Sequence, residues 1–168
     1  MTPITLKAAT DLAPLVEPIV TETVARIVKL LPDAEVHHIG ATAIPGALTK
    51  GDVDVLVLVA SEALSQAISV LGQQYAVKQR ENWTADFASF GDDTGYALPL
   101  GVQVVVKGSE NDFLLYLRDY LTAHRSALEE YNRPDPIRRS TSYVSPRATS
   151  RIGAGGRCPS ELCGRRPL

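Results

Sequence analysis

Residues 52–60 read Asp-Val-Asp-Val-Leu-Val-Leu-Val-Ala. β-Branched and aliphatic residues at this density favour a pleated strand, and one that is apolar on both sides must be covered on both faces. Alternation sends Val53, Val55, Val57 and Val59 one way and Asp52, Asp54, Leu56 and Leu58 the other. A central strand from Asp52 to Ala60 therefore organises the fold. Two carboxylates open it on one face, roughly 7 Å apart. Unpaired carboxylates at the head of an apolar run are costly to bury. A hard, oxygen-seeking cation shared between them, Mg2+ or Mn2+, would offset that cost. The plain alternative makes Asp54 a strand-start residue bonded to local N–H groups.

The preceding segment completes a phosphate-binding kit. Glu35–Ile39 reads as a short strand, and residues 40–51 as a loop of glycine, alanine, threonine and proline. Small residues at Gly40 and Ala41 let backbone N–H groups approach a phosphate. Thr42 adds a hydroxyl and Lys50 a mobile positive charge. His38 stands beside this loop, placed to touch a phosphate or orient a carboxylate; the alternative is a half-buried strand histidine. His37 points to the opposite face and reads as structural. Phosphoryl chemistry asks mainly for positioning and charge neutralisation. A loop on the phosphates and a cation on the carboxylates supply both for a nucleoside triphosphate (NTP).

Around this centre the pattern predicts an α-β-β-α-β-β-β-α order. Val16, Ile19, Val20, Val24, Ile27 and Leu31 recur at helical spacing, with Pro18 arguing for a start near Glu17 and Pro32 for a stop. A helix from Ser61, as cap, to about Gln74 follows. Ala76–Arg80, Ala85–Phe90 and Val102–Lys107 read as strands, and Gly91–Gly95 as a turn. One long helix is expected from Ser109 to Asn132. Arg118 and Asp119 on that helix read as a pair fixing it to the sheet, with a phosphate-facing Arg118 as the alternative. Trp83 and Tyr96 are placed to stack on a base or simply to pack.

The arrangement Gly-[Gly/Ser]-x, a short spacer, then Asp-hydrophobic-Asp on adjacent strands is the signature of the nucleotidyltransferase superfamily with the DNA polymerase β-like fold. VHHIGATAIPGALTKGDVDVLVLV resembles the GrpB family more closely, whose pattern runs His-Ile-Gly-Ser-Thr-x-x-Pro-Gly, then Lys, then Asp-x-Asp. KGSENDFLLYLRDYLTAHRSALEEYN is similar to that family's second signature, Gly-Ser followed by Phe-Arg-Asp-Tyr-Leu. The resemblance implies an α+β fold, a small mixed or antiparallel sheet flanked by helices. It also implies that Gly40, Ala41, Asp52 and Asp54 form the nucleotide and metal site. Ala41 stands where the family has serine, and Gly101-Val102-Gln103 lacks the family's histidines. Active nucleotidyltransferases add a third carboxylate on a later strand. Asp86, Asp92 and Asp93 are the candidates, and Asp86, at the start of the expected strand Ala85–Phe90, fits best. No G-x-x-x-x-G-K-[ST] loop is present, which excludes the dephospho-CoA kinase fused to some members.

Charge divides the chain in two. Residues 1–133 carry 10 basic and 17 acidic side chains; residues 134–168 carry seven arginines, no lysine and two acids. The second stretch is rich in Arg, Pro and Gly without apolar periodicity, and reads as a disordered or out-of-frame tail. The domain expected is thus 1–133, with a tail over 134–168. Val53 to Ala60 is far shorter than the roughly 20 apolar residues a bilayer requires. MTPITLKAAT has no signal-peptide pattern, and the cysteines, Cys158 and Cys163, lie only in the tail. A cytoplasmic protein is expected. The functional expectation is nucleotidyl transfer from an NTP to an unknown acceptor, nucleic acid being disfavoured by the acidic body. Asp52, Asp54 and Asp86 would be catalytic; Gly40, Ala41, Thr42, Lys50 and His38 would bind nucleotide. The alternatives are a nucleotide-binding module without turnover, or a truncated inactive member.

Overall fold

The structure is a computed structural model that describes residues 5–133. The expected tail, with Cys158 and Cys163, lies outside the described residues.

A short strand, β1 (Lys7–Ala8), leads into helix α1 (Ala9–Leu30). Helix α1 passes through both Pro14 and Pro18, so the expected start near Glu17 is corrected to Ala9. A proline inside a helix costs about 3 kcal/mol. Burial of Leu12 and Val16, which a start at Glu17 would leave outside the helix, returns roughly 1.5–3 kcal/mol each, and both are at most 5% exposed. The Ala9 amide also donates to Ala47 O at 2.9 Å, anchoring the first turn. The helix ends where expected, with Leu31 N–H donating to Ile27 O ahead of Pro32.

Five further strands form one mixed sheet. β2 (Glu35–Ile39), β4 (Val53–Val59), β5 (Ala76–Val77), β6 (Phe87–Asp92) and β7 (Leu100–Val106) lie in the order β2-β4-β7-β6-β5. Only β4 and β7 run parallel. The remaining strand, β3 (Leu48–Thr49), pairs with β1 to form a separate ribbon. All of Val53–Val59 except Asp54 is buried, so β4 is the doubly covered central strand its composition predicts. The expected strand Ala76–Arg80 is cut short at Val77; shortly after it, Gln79 adopts a left-handed conformation (φ 43°). The next two strands are shifted by up to two residues from the expected Ala85–Phe90 and Val102–Lys107.

Helix α2 (Leu64–Leu71) is shorter than expected. Ser61 opens a 3-10 turn over Ser61–Ala63 and forms no side-chain cap. Helices α1 and α2 bury Leu12, Val16, Ile19, Leu64 and Leu71 against Val53, Val55, Val57, Val102, Val104 and Phe90. Asp54 therefore faces the side of the sheet away from these two helices.

The long helix expected from Ser109 to Asn132 is two helices, α3 (Leu114–Ala123) and α4 (Arg125–Tyr131). They meet at His124 (φ −121°, ψ 95°), whose Nδ1 bonds Tyr120 O at 2.8 Å. The imidazole stacks on the Tyr120 ring, centroids 4.1 Å apart. No Pro or Gly breaks the run. The bend lets Leu117 and Leu121 of α3, and Leu128 and Tyr131 of α4, close over Ile44 and Ala47 from two directions. A straight helix would present only one stripe.

Asn132, just beyond α4, pins the same loop. Its Oδ1 accepts from Leu48 N–H at 2.8 Å, and its Nδ2 donates to Gly46 O at 2.9 Å. Asn132→Ala removes both bonds. We expect a loss of about 1–2 kcal/mol in stability. Hydrogen exchange should show the Leu48 amide opening well before the amides of β4; equal rates would show that the pin does not hold the loop.

Candidate nucleotide and cation site

The head of β4 lies between two glycines. Asp54 pairs with Ile39 of β2 on one side and with Gly101 of β7 on the other. A Cβ on Gly40 would stand 2.6 Å from Asp54 Oδ2, and one on Gly101 would stand 2.6 Å from Oδ1. The carboxylate thus fills the space that two side chains would occupy. Gly40 has a second reason to be glycine: its φ of 74° with ψ −175° is a region other residues avoid. Immediately after it, Ala41–Ala43 form a tight 3-10 turn, with Ala43 N–H donating to Gly40 O at 3.1 Å.

Burial pushes the Asp54 carboxyl up to about 8, and the neighbouring Asp52 charge adds to the shift. A hydrogen bond from Gln103 and the positive charge of Lys50 oppose it. The structure therefore brings Asp52, Asp54, Lys50 and Gly40 together. It adds Gly101 and Gln103, which sequence reasoning passed over.

Two expectations change. Asp86 does not approach the aspartates. Its carbonyl accepts from Val106 N–H at 2.9 Å, and Val106 pairs with Val59, at the opposite end of β4 from Asp54. At about 3.3 Å per residue that separation is roughly 17 Å. Asp92 bonds the amides of Thr94 and Gly95 in its own turn, and Asp93 pairs with Lys78. Among the described residues no three His, Cys, Asp or Glu side chains come together.

The second change concerns the histidines. His38 pairs with Val55, whose side chain faces α1 and α2, so His38 lies across the sheet from Asp54. Its neighbour His37 shares Asp54's face, by the period of two. The expected orientations are reversed. His38 Nε2 lies 3.0 Å from Thr42 Oγ1, which in turn donates to Asp52 O at 3.2 Å. With the hydroxyl proton directed at Asp52, His38 must be the donor in the first bond. Burial and the Arg118 charge lower His38 to about 4, which keeps it neutral at pH 7. His38 and Thr42 thus lock the loop onto the backbone at Asp52.

Arg118 holds position, as the sequence leads one to expect. Its Nη1 donates to His38 O at 2.8 Å and its Nε to Asp119 Oδ1 at 2.8 Å, tying α3 to the edge strand β2. Trp83 and Tyr96 also pack: Trp83 donates to Lys78 O and meets Phe90 edge-on, and Tyr96 reaches Glu22.

A mixed sheet with two helices on one face, a glycine-led loop and an Asp-x-Asp strand head defines a nucleotidyltransferase-like α+β domain. The chain belongs to the GrpB family: the family model described as GrpB protein matches residues 11–135. A UPF0157 protein of Vibrio cholerae is 35% identical over 107 residues, which cover 63% of this chain and 56% of that protein. The chain thus spans little more than half the length of this curated relative. The crystal structure of conserved protein GrpB from Enterococcus faecalis superposes with a TM-score of 0.58 at 18% identity, covering 71% of this chain and 74% of that one. A cytoplasmic RNA terminal U-transferase matches with a TM-score of 0.50 at 18% identity, over 72% of this chain and 37% of that one. At such identities the likeness is one of fold. No described helix is long and apolar enough to cross a membrane.

Proposed function

We propose that the chain binds an NTP with a divalent cation, Mg2+ or Mn2+, at the head of β4 and transfers its nucleotidyl group to an acceptor. One observation carries this reading. Asp54 is wedged between Gly40 and Gly101 beside a second carboxylate, Asp52, an arrangement that disfavours its own charge. Such a site is costly unless a proton or a cation joins it. The donor set suits that ion, since paired carboxylate oxygens are what hard dications take. When bound, the cation neutralises charge on the phosphates and on the leaving pyrophosphate.

The chain's own residues do the rest. Gln103 and the two glycines hold Asp54 in one place. Thr42 and neutral His38 fix the Gly40–Thr42 loop beside Asp52, where its backbone can approach phosphate. Lys50 adds positive charge on the same side. In transfer, the acceptor oxygen bonds to the α-phosphorus as the bridging oxygen leaves with pyrophosphate. The acidic balance of residues 1–133 favours a small-molecule or protein hydroxyl over a nucleic acid. A second reading, a nucleotide-binding module without turnover, is favoured by the position of Asp86, which leaves only two carboxylates at the described site.

Thermal melts of the full chain against a panel of NTPs, with and without Mg2+, test the shared part of both readings. A Mg2+-dependent rise in melting temperature, lost in Asp54→Asn, is expected. No shift with any NTP would sink both. Pyrophosphate release in the presence of candidate acceptors then separates turnover from binding.

A further inference from the structure

The two oxygens of Asp54 face two different glycines. Oδ2 faces Gly40, at the start of the loop offered to the phosphates; Oδ1 faces Gly101 on β7. Above Gly101 there is room. Among the described residues, outside its own chain neighbours, the atoms next nearest to a Cβ placed there are Asp54 Cγ at 3.8 Å and Val53 O at 3.9 Å. Gly101 pairs in turn with Gly91 of β6. Two positions without side chains lie side by side, and Gly101 forms a bare floor between β4 and the group that covers Gly91.

That group is Lys78. A Cβ on Gly91 would stand 3.3 Å from Lys78 Cγ and 3.2 Å from Lys78 Cε, so the lysine stem lies over it. The Lys78 main chain is pinned: its N–H donates to Ser89 O at 3.0 Å, and its O accepts from Trp83 Nε1 at 3.0 Å and from Ser89 Oγ at 2.7 Å. From Ser89 the stem runs along β6 past Gly91, and the ammonium meets Asp93 just beyond the end of the strand. β4 begins at this same end, since Val53, Leu100 and Asp92 share one row. Lys78 thus brings a positive charge to the aspartates' end of the sheet, two strand spacings or about 10 Å from their strand. Its pair with Asp93 is exposed, 36% on one side and 60% on the other, so another anion can replace Asp93 at little cost.

Gln103 closes the floor at its inner end. It is the next residue of β7 on this face, about 7 Å beyond Gly101. It is 8% exposed, and its Oε1 has no hydrogen-bond partner. Its cross-strand neighbours supply none: Leu56 is apolar, and the Ser89 hydroxyl is given to Lys78 O. A hydrogen bond to the Asp54 carboxyl turns the amide toward the floor. A buried amide oxygen there calls for a donor.

We propose that the floor over Gly101 is the seat of the acceptor, and that the acceptor is a small alcohol carrying an anionic group, with its hydroxyl at Asp54 Oδ1 and its anion on Lys78. The inference rests on the nucleotide reading above and names its acceptor class. Lys78 lies on the β6 side of Asp54 and the Gly40 loop on the β2 side, so the two substrates approach the carboxylate from opposite directions. The paired aspartates repel an anion, which leaves the Lys78 end as the place for it. With contacts of about 3 Å at each end of a 10 Å span, hydroxyl and anion stand roughly 4–6 Å apart, within reach of a three-carbon phosphate. A second hydroxyl on such a molecule supplies the donor that Gln103 lacks.

Glycerol 3-phosphate and glycerate serve as the probes, with glycerol as the neutral control. Each is titrated calorimetrically into the full-length protein saturated with Mg2+ and the α,β-methylene analogue of whichever NTP stabilises it most. At least one anionic probe should bind, and glycerol should bind about tenfold more weakly or less. Lys78→Met keeps the stem over Gly91 and removes the charge. It should weaken the anionic probe about ten- to a hundredfold and leave the Mg2+- and NTP-dependent rise in melting temperature in place. Lys78→Arg should restore binding, and Lys78→Gln replaces the methionine variant if that fails to fold. Unchanged probe affinity in folded Lys78→Met or Lys78→Gln would overturn the proposal. So would equal affinity for glycerol, or no probe binding by a wild type that still takes the analogue; each of these leaves the nucleotide reading standing. Failure of every NTP to stabilise the wild type would overturn that reading and the acceptor seat with it.

Discussion

Asp54→Asn raises the melting temperature of the metal-free protein, and raises it more at pH 8 than at pH 5. The Asp54 carboxyl is pushed up to about 8, first by burial and then by Asp52. In the unfolded chain the same carboxyl titrates near its ordinary value of about 3.9. Its folded state therefore binds the proton more tightly than its unfolded state. The stability this contributes is fully present below about pH 4 and is lost as pH rises toward 8. Asparagine has the same shape and no proton to lose. The gap between the two proteins should widen at up to about 1.4 kcal/mol per pH unit. Near pH 7 it should reach on the order of 2–4 kcal/mol, or about 5–10 °C for a domain of this size. Saturating Mg2+ and NTP should close or reverse the gap, because only the wild type gains a ligand. A difference that stays flat from pH 5 to pH 8 would mean that Asp54 is ordinary, and would remove the main support for the proposed function.

The second large effect is a coupling among three residues. Gly101→Ala places a methyl group 2.6 Å from Asp54 Oδ1, with no other side chain nearby to clash. Overpacking of this kind costs about 1–3 kcal/mol. In an Asp54→Ala background the obstacle is gone and the cost should fall to a few tenths of a kcal/mol, about the level at which independent changes add. Gly40→Ala behaves differently. It meets Asp54 Oδ2 at 2.6 Å and also carries the backbone conformation at φ 74°, ψ −175°. Removing Asp54 should relieve the first part and leave about 1–3 kcal/mol of the second. Urea unfolding of the six proteins measures both cycles. Strict additivity at Gly101 would mean that the glycine is there for some reason other than the carboxylate.

What could be read from the sequence follows how local each cause is. β4 and its two faces were legible because alternation within one strand carries the whole signal. Asp52, Asp54 and the Gly40 loop were legible because they are close in the chain. Gly101 and Gln103 were not, since their meaning lies in which residues of β4 they face, and that register appears only when β7 is laid beside it. The two histidines were assigned to the wrong faces for the same reason. Alternation orders His37 against His38, but only the pairing of Ile39 with Asp54 says which of them shares the aspartate's side. Asp86 looked close because it opens a strand; β6 runs antiparallel to β7, so the start of β6 meets the end of β7. The prolines of α1 were over-weighted because the burial that compensates for them comes from β4 and β7. The bend at His124 leaves no Pro or Gly to read, and its cause is a loop about 80 residues earlier in the chain.

The pin made by Asn132 has a further bearing on when the site comes into being. Its two partners, Gly46 and Leu48, lie 86 and 84 positions earlier. During synthesis the Gly40–Thr42 loop and the β4 aspartates are made long before the residue that closes their supporting loop. Closing a loop of that length is among the slower, entropically dearer steps available to a small domain. The strands and helices α1 and α2 carry none of this support; the loop gains it only from α3 and α4, which pack across Ile44 and Ala47. A nascent chain halted before residue 132 would thus carry both aspartates without the two bonds that Asn132 makes to their neighbouring loop.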